Sequence, residues 1–228
     1  MLAFFYKHMR PIIEAGKLYK VYSPLYSLDD KDHPFVANKS EMVELYHEKI
    51  VKNYKIKLEG ESSYLTKSEM YDFLIDTYDY REALIRAAEE SGNVNKFLIE
   101  AIIAYLSLYN VVRSETDFDD IEKTFGNQKF IKTIMSKIQK KYKEVVVDNS
   151  GRFSGVVDSK YCVIKVGKRF FRKTSDLIPI YKQYGYIITV KEKDKDPVEM
   201  TIGEFLDNCM KLTPRIKTRF KGLTNRFF

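Results

Sequence analysis

The sequence contains no tryptophan, two cysteines, three histidines and ten glycines among its 228 residues. Cys162 and Cys209 are too few and too far apart for a disulfide framework or a four-cysteine zinc site. Cys162 lies in a β-branched run and Cys209 near the apolar face of a predicted helix, so we interpret both as core residues and not as nucleophiles. So little cysteine is typical of a reducing, intracellular compartment, and we expect a cytoplasmic protein.

Several sequence motifs are also missing. The scattered glycines form neither a P-loop nor a dinucleotide-binding loop, and there is no Gly-x-Ser-x-Gly nucleophile motif. Every apolar run is shorter than the roughly 18 residues that a membrane span requires. At the N-terminus the apolar residues precede the charged ones, which is the reverse of a signal peptide. These absences argue against a nucleotide-binding enzyme, a membrane protein and a secreted protein.

Two acidic clusters have simpler interpretations than metal binding. His33 follows three aspartates, but the glycine and the later glutamate of an EF-hand are missing, so a hard-cation site is the less favoured interpretation here. The second cluster lies at the predicted start of a helix, where the macrodipole stabilises carboxylates. The two clusters consist of Asp29, Asp30 and Asp32, and of Asp117, Asp119, Asp120 and Glu122.

The formal net charge of +7 is unevenly distributed. Residues 160–228 contain 16 lysines and arginines and 7 acidic residues, whereas residues 1–159 contain 23 and 25. The last 18 residues contain six basic side chains and no acidic one. Such a tail favours an anionic partner, most often nucleic acid, although a solvated basic face explains the same charge.

The basic cluster that we single out lies in a predicted strand near the end of the chain. Alternation along a strand places four basic residues on one face, about 6.5–7 Å apart. Phosphates along one DNA strand repeat at a similar spacing, so this stripe could neutralise several phosphates without reading the base sequence. The stripe consists of Arg215, Lys217, Arg219 and Lys221.

The hydrophobic periodicity predicts an α+β fold. A helix with a kink at Pro11 is predicted at 2–15. Two more helices are predicted to begin after capping boxes at 38–41 and 66–69, and the helix after the second box is long and ends near 91. Further helices are predicted at 94–110, 130–138, 173–184 and 202–212. A short helix is expected after Asp117. Strands are predicted at 17–22, 35–36, 54–58, 187–190 and 216–220, with an antiparallel meander at 145–164 and a charged loop at 191–197.

Two segments resemble type II DNA topoisomerases. Residues 4–26, FFYKHMRPIIEAGKLYKVYSPLY, are similar to the helix and strand that follow the Asp-x-Asp strand of the TOPRIM domain in gyrase B and topoisomerase IV subunits. The Pro-Pro-Leu-Tyr signature of the family is present with Ser23 in place of its first proline. Residues 219–223, RFKGL, resemble the start of the family's Arg-Tyr-Lys-Gly-Leu-Gly-Glu motif.

The resemblance implies a partial TOPRIM α/β element at residues 1–57 and 188–228, interrupted by an α+β insert of helical cluster and meander at 58–187. It also implies that the whole enzyme passes one DNA duplex through a double-strand break, with ATP and Mg²⁺ as cofactors. The implied partners are double-stranded DNA, the remainder of the B-type subunit and the A-type subunit that carries the cleavage tyrosine. Lys221 and Gly222 match the family's loop near the cleavage site, and Arg219 precedes that loop.

The sequence also departs from the family. The metal-binding acids and the ATPase domain have no matching positions here, so we expect no catalytic, metal-binding or cofactor-binding residue in this chain and no activity of the chain alone. After Leu223 the family motif gives way to TNRFF. We therefore expect an internal fragment of a topoisomerase subunit, as an intron or a split phage gene would produce in a bacterial or phage-infected cell. The alternative is a non-catalytic stand-alone module that binds DNA or docks on a partner.

Overall fold

The computed structural model describes residues 6–16, 26–28, 31–32, 35–92, 94–108, 124–213 and 216–219. Over these residues the chain combines helices with three antiparallel, three-stranded sheets, which confirms the predicted α+β class. The chain divides into two compact units. The first is formed by Met1–Tyr46 with Pro214–Phe228, and the second by His47–Thr213.

The boundaries of these two units differ from those of the segments 1–57, 58–187 and 188–228 that the resemblance implies. The difference arises because β3 (Tyr54–Leu58) and β7 (Ile187–Glu192) pair with each other and lie together in the second unit. The expected segments concern a parent domain and stay predictions.

The first unit contains a small sheet with the strand order β2-β1-β9, in which both pairings are antiparallel. Its strands are β1 (Tyr26–Leu28), β2 (Phe35–Val36, as predicted) and β9 (Ile216–Arg219). A small core packs beside it, formed by Leu28, Val36 and Leu45 with the partly buried Tyr26 and Met42. The predicted strand at 17–22 lies outside the described residues.

Helix α1 (Arg10–Glu14) is shorter than the predicted helix 2–15. Residues 6–8 are helical, but Met9 interrupts the helix with a φ of −136°. Pro11 lies in the first turn of α1, where its missing N–H would have had no partner. Pro11 therefore begins a helix instead of kinking one, which corrects the prediction.

Helix α2 (Lys39–Asn53) begins where the sequence predicts. The Asn38 side-chain oxygen accepts a hydrogen bond from the Glu41 N–H at 2.9 Å. The Glu41 carboxylate accepts one from the Ala37 N–H at 2.7 Å, one residue before the position that a capping box uses. Strand β3 follows directly, as predicted.

The single helix predicted after Thr66 is two helices, α3 (Lys67–Asp76) and α4 (Tyr80–Glu90). Thr66 does form the predicted capping box. The break follows Thr77, whose hydroxyl donates to the Phe73 carbonyl at 2.7 Å, and the next N–H groups bond three residues back instead of four. The buried face continues in register across this turn, so apolar spacing does not reveal it.

Two further helices bury apolar faces in the second unit. Helix α5 (Lys96–Leu108) is buried along most of its length and contacts helix α6 (Gln128–Ile138). Both lie close to the predicted positions. The short helix predicted after Asp117 falls mainly on residues 117–123, which lie outside the described part of the chain.

The predicted antiparallel meander is confirmed. Asp158 and Ser159 form its second turn with positive φ angles of 50° and 63°, which match the twist of a tight hairpin. Phe125 is buried between Phe153 on the inner face of this sheet and Phe130 of α6. The strands are β4 (Val146–Val147), β5 (Arg152–Val157) and β6 (Lys160–Lys165).

The third sheet has the order β3-β7-β8. The sequence predicts β7, although β7 extends two residues further, and it does not predict β8 (Val198–Thr201). The predicted loop 191–197 is therefore shorter than expected. The predicted helix 173–184 is split by a 3₁₀ turn, and the helix predicted at 202–212 becomes 3₁₀ after 209. The helices concerned are α7 (Lys168–Thr174), α8 (Ile178–Tyr184) and α9 (Ile202–Cys209).

Within the described ranges, no helix combines the length and the apolar character that crossing a membrane would require.

Candidate nucleic-acid interface

The predicted basic stripe coincides in part with strand β9. Lys217 and Arg219 lie in β9, two positions apart, as a shared face requires. Arg215, Lys221 and Gly222 lie outside the described residues. The structure therefore describes the backbone of two of the five predicted site residues, and the stripe as a whole stays a prediction.

The pairing of β9 with β1 is irregular at one point. Arg219 lies opposite Tyr26, but the register shifts by one residue between Ser27 and Leu28. Lys217 falls at this shift and has no directly opposed residue. A β-bulge bends a strand locally, so the even spacing assumed for the stripe is interrupted here.

The same pairing joins the two segments that carry the family resemblance. Tyr26, the last residue of the first segment, lies opposite Arg219, the first residue of the second. The chain between them contains the whole His47–Thr213 unit. One residue of each segment thus lies in neighbouring strands of one sheet, although the two residues are remote in sequence.

A second basic segment, which the sequence reasoning missed, lies in the second unit. Residues 128–174, called here the basic segment, contain 13 lysines and arginines and three acidic residues. Dividing the charge at residue 160 concealed this segment, because that position falls inside it; a sliding window would have found it. Among its members whose side chains are described, Lys141 has an ion pair, 2.5 Å from Nζ to Glu204 Oε1.

Helix α6 carries the first part of the basic segment on its solvent face. Ile131, Ile134 and Ile138 are buried, and Lys129 and Lys132 are exposed. Helical spacing of three to four residues places the isoleucines on one side and these lysines on another. Because the isoleucines hold the helix in the core, the lysines are presented to solvent in fixed positions.

The outer face of the meander carries another part of the basic segment. Tyr161 lies opposite Val156, and Lys165 opposite Arg152, with the row of Val146, Ser154 and Val163 between the two pairs. The outward positions include no acidic residue, and Tyr161 is 71% exposed. This surface, called here the meander face, consists of Val146, Arg152, Ser154, Val156, Tyr161, Val163 and Lys165.

A buried carboxyl group lies in the core of the second unit. The Glu100 carboxylate accepts hydrogen bonds from the Tyr80 hydroxyl (2.7 Å), the Thr201 hydroxyl (2.8 Å) and the Gly203 N–H (2.7 Å). The Tyr80 oxygen also lies 2.7 Å from the Tyr181 hydroxyl. Burial raises the pKa of Glu100, although these hydrogen bonds oppose the rise. The network ties α4, α5, α8 and the start of α9 together, and we interpret it as structural because it is closed to solvent.

A partly exposed carboxylate links three of the same elements. Asp207 of α9 accepts hydrogen bonds from Arg81 Nε at 2.8 Å and from Lys96 Nζ at 2.5 Å. Burial by itself raises the pKa of Asp207, but the hydrogen bonds from Lys96 and Arg81 outweigh burial and lower it.

A groove of about 670 Å³ opens beside the Glu100 network. The rings of Tyr105, Tyr142 and Tyr186 contribute to its lining. The Tyr142 hydroxyl is buried and has no hydrogen-bond partner among the described residues. Lysines and glutamates both line the groove, so its charge favours no anionic ligand. The charged members are Glu59, Lys137, Lys140, Lys141, Glu199 and Glu204.

Both cysteines are buried, as predicted. Cys162 faces inward from β6 and its thiol donates to the Gly155 carbonyl at 3.3 Å, while Cys209 ends α9. Burial raises the pKa of both thiols and disfavours the thiolate that nucleophilic chemistry needs.

In the part of the chain that the structure describes, no three His, Cys, Asp or Glu side chains lie close enough together to hold a metal ion. Asp32 is described, but the other members of the two acidic clusters, and His33, are not. The expectation that this chain binds none of the Mg²⁺ implied for the whole enzyme therefore stays a prediction.

No protein-family model matches the chain, and no curated protein matches it significantly. The resemblance of the two motif-bearing segments to topoisomerases therefore stays a prediction.

Proposed function

We propose that this chain forms part of the B-type subunit of an ATP-dependent type II DNA topoisomerase, in which it supplies TOPRIM scaffold and DNA contacts. The observation that carries the proposal is the antiparallel pairing of β1 with β9. An insert within a parent domain must leave that domain and return to it at neighbouring positions. The pairing of Tyr26 with Arg219 supports this, because these residues end the first resembling segment and begin the second, and the chain between them contains a separate compact unit.

The proposed contribution of this chain to the reaction is electrostatic. Lys217 and Arg219 of β9, with Arg215, Lys221 and Gly222 beside them, contact the phosphate backbone near the cleavage site without reading base sequence. Strand cleavage requires the tyrosine of the A-type subunit, and ATP and Mg²⁺ are bound by the remainder of the B-type subunit. This chain holds the DNA and completes the domain around it.

Reconstitution on supercoiled plasmid tests the proposal. The chain is mixed with the A-type subunit and the remaining B-type polypeptide, with Mg²⁺ and ATP. We expect relaxation by the full mixture, none by the chain alone, and none when the chain is omitted. Relaxation by the chain alone, or undiminished activity without it, would contradict the proposal. Sequencing the DNA on both sides of the reading frame identifies the polypeptides to be added.

A charge-reversal pair tests the DNA contacts in a separate binding measurement. Lys217→Glu combined with Arg219→Glu should weaken binding of a duplex oligonucleotide at least tenfold, since repulsion replaces two phosphate contacts. The matched control is Lys55→Glu combined with Lys191→Glu, two exposed lysines opposed on β3 and β7. Equal loss in both double variants would show that net charge, and not β9, governs binding.

The alternative function is a stand-alone DNA-binding module, which the separate core and the basic segment of the second unit favour. Such a module would be monodisperse, unfold cooperatively by itself and bind DNA with a steep salt dependence. It would add nothing to the reconstituted relaxation reaction. Size-exclusion chromatography and the plasmid assay together separate the two functions.

A further inference from the structure

We propose that the meander face binds single-stranded nucleic acid, with a base stacked on Tyr161 and the phosphate backbone held by Arg152 and Lys165. This proposal does not depend on the topoisomerase assignment. The residues that it uses lie in the second unit, outside both segments that resemble that family.

Tyr161 supplies the stacking surface. It stands on β6 with 71% of its surface exposed, compared with 50% for Tyr78, whereas Tyr80, Tyr181 and Tyr186 of the same unit are buried. Its neighbours on the face are two short valine side chains, Val156 on the paired strand and Val163 on the same strand. The Tyr161 ring therefore projects further from the sheet than the apolar side chains around it. Aromatic rings on an antiparallel sheet bind single strands by base stacking, which tolerates any base sequence.

Arg152 and Lys165 lie at a distance from the Tyr161 ring that suits an extended single strand. Lys165 is four residues beyond Tyr161 on the same strand, or about 13 Å, which is roughly two nucleotides of extended single strand. Arg152 lies directly opposite Lys165. The Lys165 ammonium group donates to the Ser150 carbonyl, which holds it at the β4–β5 turn next to Arg152.

The Asp148 carboxylate attracts the Arg152 charge at this end, and Lys165 adds a second positive charge. Asp148 lies in the β4–β5 turn, where it accepts hydrogen bonds from the Ser150 N–H at 2.8 Å and the Arg152 N–H at 3.1 Å. Asp158 lies in the opposite turn and accepts from the Asn95 side chain. The outward positions of the sheet between these turns include only basic, aliphatic, hydroxyl and aromatic side chains.

The apolar centre of the face favours a single strand over a duplex. A duplex would place charged phosphates against Val146, Val156 and Val163, whereas a single strand places its bases there and its phosphates toward Arg152 and Lys165. The excess of basic residues in the basic segment favours a polyanion over an acidic protein, whose contacts would be fewer and local.

Fluorescence anisotropy of a labelled twelve-nucleotide oligo(dT) with the full chain tests the proposal. Tyr161→Ala should raise the Kd about tenfold, because one base–ring stack is lost, and Tyr161→Phe should leave it nearly unchanged. The control is Tyr78→Ala, which removes a half-exposed ring between α3 and α4 and should have no effect. Thermal melting followed by circular dichroism confirms that each variant is folded.

A second pair of variants tests the phosphate contacts. Arg152→Glu combined with Lys165→Glu should abolish oligo(dT) binding at moderate salt. The milder Arg152→Gln with Lys165→Gln should lower the slope of log Kd against log salt by about 1.4. The duplex affinity of the Lys217→Glu/Arg219→Glu chain reports the proposed topoisomerase contacts separately.

Three results would overturn the proposal. One is equal oligo(dT) affinity of the wild type and Tyr161→Ala. Another is duplex binding as tight as oligo(dT) binding and equally sensitive to Tyr161. The third is displacement of oligo(dT) by polyglutamate at the same charge concentration, which would make the face a docking surface for an acidic protein.

Discussion

At the residue scale, two carboxyl groups of the second unit respond to the fold in opposite ways. Glu100 is enclosed among hydroxyl and N–H donors, and burial outweighs their hydrogen bonds, so its pKa rises. Asp207 lies between Lys96 and Arg81, and those partners overcome burial and lower its pKa. Both carboxyl groups join α9 to α4 and α5, but they give the stability of this junction opposite pH dependences.

Glu100→Gln is predicted to change the pH dependence of stability. Because the folded pKa is raised, the folded wild type keeps a proton that the unfolded chain releases above about pH 4.3, so its stability falls as the pH rises beyond that value. The free energy of unfolding of the wild type relative to Glu100→Gln should therefore decrease between pH 4 and pH 7. Urea unfolding measures this difference, with the exposed Glu199→Gln as control. A pH-independent difference would contradict the assignment.

Glu100→Ala should destabilise the chain strongly at every pH. It leaves the Tyr80 hydroxyl, the Thr201 hydroxyl and the Gly203 N–H without their buried acceptor, and it opens a cavity. We expect a loss of about 3 kcal/mol in the free energy of unfolding. A loss as small as that of Glu199→Ala, measured in parallel, would mean that the network contributes no net stability.

Asp207→Asn should show the reverse pH dependence. The lowered pKa means that Asp207 contributes its stability above about pH 3.9 and loses it as the pH falls below that value. We expect a loss of about 1 kcal/mol at pH 7, limited by the partial exposure of the ion pairs, and a smaller loss below pH 4. Asp194→Asn, in the exposed turn after β7, is the matched control for the same unfolding measurement.

At the scale of elements, the meander depends on a close approach of backbone to β5. A Cβ added at Gly155 would lie 2.2 Å from the Glu144 carbonyl oxygen, whereas one added at Gly167 would meet nothing within 4 Å. Gly155→Ala should therefore displace the strand or the segment before β4 and destabilise by about 3 kcal/mol. Gly167→Ala, in extended backbone, should lose under about 1 kcal/mol. Similar unfolding midpoints for the two variants would show that the segment at Glu144 moves freely.

Which elements the sequence could predict depends on whether their signals are local. The α3 capping box and the meander are encoded by neighbouring residues, by Thr66 with Glu69 and by β-branched runs between turn residues. The break at Thr77 is not, because the apolar face stays in register across it. Strand β8 is defined by pairing with β7 and has little apolar alternation of its own, so tertiary contact decides it.

The candidate sites also differ in whether their sequence signals are local. The basic tail was visible as a run of like charges, and the sequence predicted that Ile216 begins a strand. The basic segment was missed only because charge was summed over large parts of the chain. The partners of Glu100 are remote in sequence, but a lone glutamate within the apolar run FLIEAIIAYL was a signal of a buried polar network.

At the scale of the whole molecule, positive charge is predicted to dominate the affinity for DNA. Reversing Lys129 and Lys132 on α6 should weaken duplex binding and reduce the slope of log Kd against log salt by at least about 0.9 for each lysine that contacts a phosphate. The Lys55→Glu/Lys191→Glu chain carries the same change in net charge elsewhere. A slope that falls equally in both chains would show that α6 makes no direct contact and that the charge acts only at long range.

The ladder between β1 and β9 also determines how this chain would respond to mechanical load. The antiparallel register places Tyr26, the first residue of β1, opposite Arg219, the last residue of β9. The N-terminal segment before β1 and the C-terminal segment after β9 are therefore joined to the same end of the ladder. Tension applied through those segments would open the ladder one hydrogen-bonded pair at a time, as a zipper opens, instead of shearing all pairs together. The chain from Leu28 to Ile216, which contains the residues of the His47–Thr213 unit, would bear no load until the ladder had opened. A pulling experiment should accordingly show a low-force event before the large extension of the second unit.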